Sequence, residues 1–159
     1  AVLVYGAGGA VRGALEALCR HGVRSVRLYN RTATRGAVVL DALTPHFPEV
    51  DFQLITDLDR LNEVMKETNL FLQGSSLGMH GEDLPGVDVA LLPKDAIVYD
   101  MVYAPKPTPL ICSARLRGLA CCDGLGMLAG QGELAYRLWH GHLPPEGLMR
   151  SALQSIERG

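Results

Sequence analysis

A glycine-rich turn near the start of the chain is the segment with the clearest chemical potential. It follows an apolar run at residues 1–5 that is typical of a buried strand, and it precedes a helical pattern. The small residues of the turn are Gly6, Ala7, Gly8, Gly9 and Ala10. Gly6 allows a tight bend, Gly8 lets the backbone approach a pyrophosphate, and the helix start supplies free N–H donors. The pattern predicts a dinucleotide phosphate site, with a ligand-free turn as the alternative. The third small position holds Val11, which predicts looser packing of the helix on the strand.

A second polar segment indicates which dinucleotide the turn would bind. Asn30 stands near the position where an NAD enzyme carries an acidic residue for the ribose 2′-hydroxyl. Arg31 and Arg35 follow one helical turn apart, and a guanidinium group binds phosphate through two parallel hydrogen bonds. Thr32 can donate its hydroxyl or cap the next helix. These four residues predict NADP rather than NAD, and a solvated helix start with incidental arginines is the alternative.

Two later segments have the composition of ligand loops. The segment 73–79 is rich in serine and glycine, whose small side chains suit close contact with a ribose or a phosphate. The segment 100–105 follows another strand, and alternation places Met101 and Tyr103 on the same side of it. An ordinary polar loop is the alternative for the first segment, and core packing of Met101 for the second.

The segment 122–132 opens a long helix near the end of the chain. Met127 and Gln131 lie on one face of this helix, in a stripe that continues with Leu134 and Leu138. A glutamine in an apolar stripe costs free energy unless it has a hydrogen-bond partner. Gln131 therefore binds either a neighbouring backbone group or a ligand, and the spacing leaves both open.

Strand and helix patterns alternate along the whole chain and must position these segments. Residues 1–159 are predicted to form one α/β domain, a doubly wound, mostly parallel, Rossmann-like sheet of about six strands with flanking helices and a helical C-terminus. Strands are predicted at residues 1–5, 25–29, 50–55, 70–73, 96–99 and 119–122. Helices are predicted at residues 9–21, 32–43, 58–66, 109–117, 125–139 and 146–156. Ligands bind such sheets at the carboxyl ends of the strands, where the motifs fall.

Composition excludes several classes of protein. The chain has 159 residues and a formal net charge of −2, so it lacks the basic surface that binds nucleic acid. No apolar run reaches the roughly 18 residues of a membrane span, and the residues 1–159 themselves contain no pattern expected of a secretion signal. The four cysteines have no metal-ligand spacing, which predicts no metal site and buried thiols in a reducing, cytoplasmic compartment. A chain that opens inside a strand without Met is expected to be a segment of a longer protein.

In their order and spacing, the motifs resemble the NADP-binding domain of the shikimate dehydrogenase family over nearly all of the chain. The segments that carry the resemblance are Gly6–Ala10, Asn30–Thr32, Asp100–Tyr103, Gly126–Leu128 with Gln131, and Leu138–Gly141. The resemblance implies reversible hydride transfer between NADPH and 3-dehydroshikimate, giving shikimate on the way to chorismate and the aromatic amino acids. It also implies NADP as the cofactor and a small molecule as the substrate.

The resemblance further implies a role for each matching residue. The pyrophosphate would be bound by Gly6, Ala7, Gly8, Gly9 and Ala10. The adenosine phosphate would be bound by Asn30, Arg31, Thr32 and Arg35. The ribose and nicotinamide side would be lined by Ser75, Ser76, Met101, Gly124 and Met127. The substrate hydroxyls would be reached by Tyr103 and Gln131. The chain departs from the family at Gln73, Ser75 and Ala104, where Asn, Thr and a polar residue are usual, which leaves the substrate preference open.

The catalytic residues are implied to lie outside this chain, because the family uses a lysine and an aspartate of an N-terminal substrate domain. The side chains that could replace them have ordinary roles in the sequence pattern. Lys106 is predicted to be a solvated loop residue, Asp123 a cap, and His140 and His142 residues at a helix end. We therefore predict no catalytic residue here, and NADP(H) binding without turnover. The helix from about residue 146 packs either toward the missing domain or on its own sheet.

Two further functions remain open. One is a quinate/shikimate dehydrogenase paralogue that acts on another polyol acid. The second is a non-catalytic NADP-sensing module, in which the catalytic pair is absent by nature. The sequence upstream of the chain separates the sensing module from an enzyme, and the kinetics of the full-length protein with shikimate and quinate separate the two enzymes.

Overall fold

One parallel sheet organises the chain, and a computed structural model describes residues 1–104 and 106–156 of it. Its strands are β1 (Val2–Tyr5), β2 (Ser25–Tyr29), β3 (Asp51–Ile55), β4 (Leu70–Gln73), β5 (Ile97–Asp100) and β6 (Ala120–Cys122). They lie side by side in the order β3-β2-β1-β4-β5-β6, and every neighbouring pair is parallel. β1 and β4 lie side by side in the middle, and the remaining strands extend from them in opposite directions, as in a doubly wound sheet. The predicted Rossmann-like fold is therefore confirmed.

Helices connect or follow the strands at nearly the predicted positions. They are α1 (Gly9–Arg20), α2 (Ala33–Leu43), α3 (Leu58–Met65), α4 (Pro109–Leu116), α5 (Leu125–His140) and α6 (Leu148–Ile156). Gly22, with φ at +94°, follows α1 and adopts the left-handed conformation that commonly ends a helix. Two single turns of 3-10 helix, Thr44–His46 and Val89–Leu91, were not predicted. Pro105, the last residue of the predicted ligand loop 100–105, lies outside the described residues.

The core has two parts, one on each face of the sheet. Alternation along β1 sends Leu3 and Tyr5 into one cluster and Val2 and Val4 into the other. Both faces are covered, as a parallel sheet requires. β1 and β4 lie in the middle of the sheet and all but Leu70 of their residues are buried, so their carboxyl ends form a fixed base for the loops that follow.

The last two helices pack less completely than the sequence predicted. Met127 is half-buried, but Gln131 is exposed, and Leu134 and Leu138 of the same predicted stripe are 53% and 81% exposed. α6 packs against α5, with Met149 beside Gly132. Of the predicted stripe, Met127 packs against the core, whereas Gln131, Leu134 and Leu138 are exposed.

The four cysteines are free thiols, but the prediction that all are buried is wrong. Cys19 is buried in the core, and Cys121 is half-buried. Cys122 is exposed because β6 is an edge strand, and Cys112 is exposed on α4. Within the described residues, no helix has the length and apolar character of a membrane span, and no cluster of side chains is suited to hold a metal ion.

Candidate functional site

A crevice opens where β1 and β4 lie side by side. The chain leaves β1 toward β2 and leaves β4 toward β5, so the two loops diverge in opposite directions across the sheet. Each loop starts as an extension of the strand ladder. Gly6 N–H donates to the Tyr29 carbonyl (2.8 Å), and Gly74 N–H donates to the Tyr5 carbonyl (2.8 Å). The topology therefore places a crevice at the edge of the sheet where the sequence predicts ligand binding.

The predicted glycine turn forms one wall of this crevice. Gly6 has φ at +98°, and a Cβ added there would lie 2.7 Å from the Cβ of Ser75. A Cβ at Gly8 would lie 2.5 Å from the Gly74 carbonyl oxygen. Both glycines are thus required by the loop after β4, and not only by an incoming pyrophosphate. The sequence could not show this contact, because the two segments are far apart along the chain.

The start of α1 presents free donors to the crevice. Gly8 occupies the N-cap position and supplies no side chain to cap the helix. Gly9 and Ala10 are exposed, and within residues 1–104 and 106–156 their N–H groups have no acceptor. Unpaired amides at a helix start carry partial positive charge. The arrangement fits an anionic group such as a phosphate.

Val11 does not loosen the packing of α1, contrary to the sequence-based expectation. The residue is fully buried in the core. The room for its side chain comes from Gly74, where an added Cβ would overlap the Cγ2 of Val11. The usual glycine pattern has a small residue at the position of Val11 on the helix. Here the small residue at this contact is Gly74, on the loop after β4.

The segment after β2 places two cations beside the turn. Asn30 is held by its N–H, which donates to the Ile55 carbonyl (3.1 Å), and by its Nδ2, which donates to the Thr32 carbonyl (2.7 Å). Thr32 is the N-cap of α2, but its hydroxyl makes no capping hydrogen bond. Arg31 and Arg35 are exposed, and neither forms an ion pair with a carboxylate in the described part of the chain. Both guanidinium groups are available to an anion.

The loop after β4 is held by a residue that the sequence analysis noted only as a departure. Gln73 is fully buried at the end of the strand. Its Oε1 accepts from the Ser75 N–H (2.7 Å), and its Nε2 donates to the Leu77 carbonyl (2.7 Å) and the Ser75 carbonyl (3.3 Å). Of the predicted ligand residues of this loop, Ser75 is half-buried and Ser76 is exposed.

A buried carboxyl group holds the loop after β5, and the sequence analysis missed it. One oxygen of Asp100 accepts from the Val102 N–H (3.0 Å), and the other accepts from the Thr108 hydroxyl (2.6 Å). Thr108 also caps α4 by accepting from the Ile111 N–H (3.3 Å). Burial raises the pKa of Asp100, against the lowering effect of these hydrogen bonds. The sequence feature that could have indicated this role is a polar residue at the end of an apolar strand.

Met101 and Tyr103 do not share a side, contrary to the prediction. Met101 is buried in the core cluster that contains Val11, and Tyr103 is 42% exposed. The strand ends at Asp100, so the alternation of a pleated chain does not extend over these residues. Gly124 packs on the same loop: its N–H donates to the Val102 carbonyl (3.1 Å), and a Cβ there would overlap the Met101 carbonyl oxygen.

Met127 and Gln131 line a groove of about 480 Å³ between α1 and α5. Gly9 and Ala10 line the same groove, so it begins at the predicted phosphate turn. In the described residues, the side chain of Gln131 makes no hydrogen bond, and it is free to meet a ligand. The structure thus brings the turn and the α5 residues together, while Arg31 and Arg35 lie at the β2 side of the crevice.

The side chains considered as substitute catalysts have ordinary surroundings. Asp123 accepts from the Leu125 N–H (3.1 Å) at the start of α5, although Gly124 occupies the N-cap position. His140 and His142 stack on Tyr136 at the far end of α5, with ring centroids 4.2 and 5.6 Å from the tyrosine ring. Lys106 is exposed.

Comparison with known proteins identifies relatives of the chain. Residues 124–154 match the family described as the shikimate 5′-dehydrogenase C-terminal domain. The shikimate dehydrogenase (NADP(+)) of Geobacter sulfurreducens is 42% identical over 155 residues, which are 97% of this chain and 54% of that protein. The chain therefore spans about half the length of the curated relatives that it matches.

Solved structures give the same result. A quinate dehydrogenase from Corynebacterium glutamicum in complex with NAD superposes with a TM-score of 0.87 at 28% identity, over 97% of this chain and 54% of that one. A shikimate 5-dehydrogenase from Thermus thermophilus in complex with NADP(H) and shikimate superposes with a TM-score of 0.76 at 32% identity, over 96% of this chain and 54% of that one. By sequence and by fold, the chain is similar to shikimate dehydrogenases over about half of their length, and the family match lies in their C-terminal domain, as the motifs predicted.

Proposed function

We propose that this chain binds NADP(H) across the crevice between β1 and β4 and serves as the coenzyme-binding half of a shikimate dehydrogenase. One observation carries the proposal. The free amides at the start of α1 and two arginines after β2, which have no carboxylate partner in the described residues, lie at the same edge of the sheet, where the neighbouring strands β1 and β2 end. A pyrophosphate and an additional ribose phosphate are the two anionic groups that this pair of features suits.

The residues at the turn fit the coenzyme. Gly6 and Gly8 leave no room for a Cβ, so the backbone itself forms the wall that faces the crevice. The pyrophosphate would be held by Gly6, Ala7, Gly8, Gly9 and Ala10. The ribose and nicotinamide side would be lined by Ser75, Ser76, Met101, Gly124 and Met127. When bound, the nicotinamide supplies or accepts a hydride.

The preference for NADP over NAD depends on Asn30, Arg31, Thr32 and Arg35. An NAD site carries a carboxylate that binds the 2′-hydroxyl and repels a 2′-phosphate, and Asn30 has no such charge. The Asn30 amide is already engaged with the Thr32 carbonyl, which keeps the start of α2 open beside the guanidinium groups. The names of the relatives that include NADP(+) support the same coenzyme.

The reaction that we propose for the full-length protein is the reversible reduction of 3-dehydroshikimate to shikimate. Tyr103 and Gln131 would contact the substrate hydroxyls, since Tyr103 is exposed and Gln131 lines the groove that starts at the turn. The general acid and base would come from the part of the protein that this chain does not include. The free thiols fit a reducing compartment such as the cytoplasm.

Calorimetric titration of the 159-residue chain with NADPH and with NADH tests this proposal. We expect measurable heat with NADPH and binding at least about tenfold weaker with NADH, because the additional phosphate meets the arginines. We expect no reduction of NADP(+) when shikimate is added to this chain alone. Equal affinity for both coenzymes would contradict the NADP assignment. Turnover by the chain alone would contradict the proposal that the general acid and base lie outside it.

Quinate dehydrogenase activity is a second candidate, since a quinate dehydrogenase superposes with a TM-score of 0.87. The full-length protein should be assayed with shikimate and with quinate under the same conditions. A higher kcat/KM for quinate would favour the second candidate.

A further inference from the structure

The side chain of Gln73 makes three hydrogen bonds to the backbone of the loop that follows β4. Its side chain is fully buried, and its amide uses the oxygen and the nitrogen on one short segment of backbone. The oxygen accepts from the Ser75 N–H (2.7 Å), and the nitrogen donates to the carbonyls of Leu77 (2.7 Å) and Ser75 (3.3 Å). These bonds fix the position of Ser75 relative to the end of β4.

The loop that Gln73 holds is also the support of the glycine turn. Ser75 packs directly on Gly6, and the Gly74 carbonyl oxygen packs directly on Gly8. The two contacts are too close to admit a methyl group at either glycine. A shift of the loop would therefore move the turn or open a gap beneath it.

The same hydrogen bonds leave donors on the loop unused. The Oγ of Ser75 accepts from the Leu77 N–H (3.2 Å), which leaves its hydrogen available to a ligand. The Ser76 hydroxyl has no partner in the described part of the chain. Both hydroxyls belong to a loop whose position depends on Gln73.

We propose that Gln73 is a positioning residue for the coenzyme, which fixes the loop 74–77 under the phosphate turn and holds its serine hydroxyls at the crevice. This inference rests on the proposed NADP(H) site. It concerns only the half of that site over β1 and β4, because the residues at Asn30–Arg35 have their own contacts and none of them involves Gln73.

Two variants of the full chain separate positioning from simple core packing. Gln73→Met keeps the approximate length and volume of the side chain and removes all three hydrogen bonds. Gln73→Asn keeps an amide that can accept from the N–H two residues ahead, as asparagine commonly does, but it is too short to reach Leu77. The positioning role predicts that Gln73→Asn retains part of the NADPH affinity that Gln73→Met loses.

The readout uses two ligands that probe different halves of the site. NADPH contacts both halves, whereas adenosine 2′-monophosphate carries only the group expected at Arg31 and Arg35. For Gln73→Met we expect the Kd of NADPH to rise about tenfold and that of adenosine 2′-monophosphate to change less than about twofold. For Gln73→Asn we expect a smaller rise for NADPH. Equal weakening of both ligands, or no weakening of either, would overturn the positioning role.

Hydrogen exchange provides a second measurement that does not depend on ligand binding. The Ser75 amide donates to Gln73, so its exchange should be fast in Gln73→Met and intermediate in Gln73→Asn, while amides of β1 stay protected. Unchanged protection at Ser75 would also overturn the proposal. A wild-type chain that bound neither ligand would reject the NADP(H) site itself, which is a different result from a variant that loses only NADPH.

Discussion

Val11 in α1 fills the space that a side chain at Gly74 would need. An added Cβ at Gly74 would overlap the Cγ2 of Val11, and Val11 is fully buried in the core. The helix and the loop after β4 approach each other at this point, which is also the base of the crevice. One of the two positions must therefore be small, and in this chain the small residue is on the loop.

This relationship predicts a compensating pair of substitutions. Gly74→Ala should lower the free energy of unfolding by about 1–3 kcal/mol through overpacking, and Val11→Ala should lower it through a cavity by about 2 kcal/mol. The double variant should lose less than the sum, because the methyl group at position 74 enters the space that Val11 vacates. Urea unfolding of the four proteins gives the coupling energy.

Gly13→Ala is the matched control for the added methyl group. Gly13 lies inside α1, and a Cβ there has no heavy atom within 4 Å in the described residues. We expect this variant to be up to about 1 kcal/mol more stable than the wild type. Strict additivity of the changes at 11 and 74 would show that the two side chains do not compete for one space.

Arg31→Ala should reveal the selection between coenzymes. The guanidinium group is exposed and has no ion-pair partner in the described chain, so in the proposed NADP(H) site its loss would remove a contact to the 2′-phosphate without leaving a buried charge. We expect the Kd of NADPH to rise about tenfold to hundredfold, and that of NADH to change less than about twofold.

Arg20→Ala is the control for charge, since Arg20 is an exposed cation at the other end of α1, paired with Glu16. It should leave both coenzyme affinities unchanged. If Arg31→Ala weakened NADPH and NADH equally, the arginine would not recognise the additional phosphate.

Asp100 should make the stability of the chain depend on pH. Burial raises its pKa in the folded state above the ordinary value of 3.8. The unfolded chain therefore releases this proton at a lower pH than the folded chain does, and the contribution to stability is lost as the pH rises through the folded pKa. Relative to Asp100→Asn, the wild type should lose stability as the pH rises above 3.8 and through the raised pKa of the folded chain.

Urea unfolding across this pH range measures the difference. Asp83→Asn, which changes an exposed carboxyl group, corrects for the general loss of one negative charge. A stability difference between wild type and Asp100→Asn that stayed constant with pH would mean that the folded pKa of Asp100 is not raised.

Thiol labelling should distinguish the cysteines by position. Cys112 and Cys122 are exposed and should react with a disulfide reagent in the folded chain, whereas buried Cys19 should react only after unfolding. Burial and the neighbouring Asp123 raise the pKa of Cys122, so its labelling should accelerate as the pH is raised from about 7 to 9. Mass spectrometry of the labelled chain locates each site, and rapid labelling of Cys19 would contradict its burial.

The sequence by itself determined the alternation of strands and helices, the doubly wound class of sheet that follows from it, and the segments at the carboxyl ends of the strands. Such features are local, because they depend on apolar periodicity, on glycine at turns and on side-chain types within a few neighbouring residues. Only the tertiary structure decided that Gly8 and Gly74 must be small. It also decided that Gln73 and Asp100 hold the loops after β4 and β5. Finally, it placed Met101 in the core and Tyr103 at the surface. These properties arise where segments distant in the chain come into contact, and the fit of one side chain into the space left by another is not encoded in either segment alone.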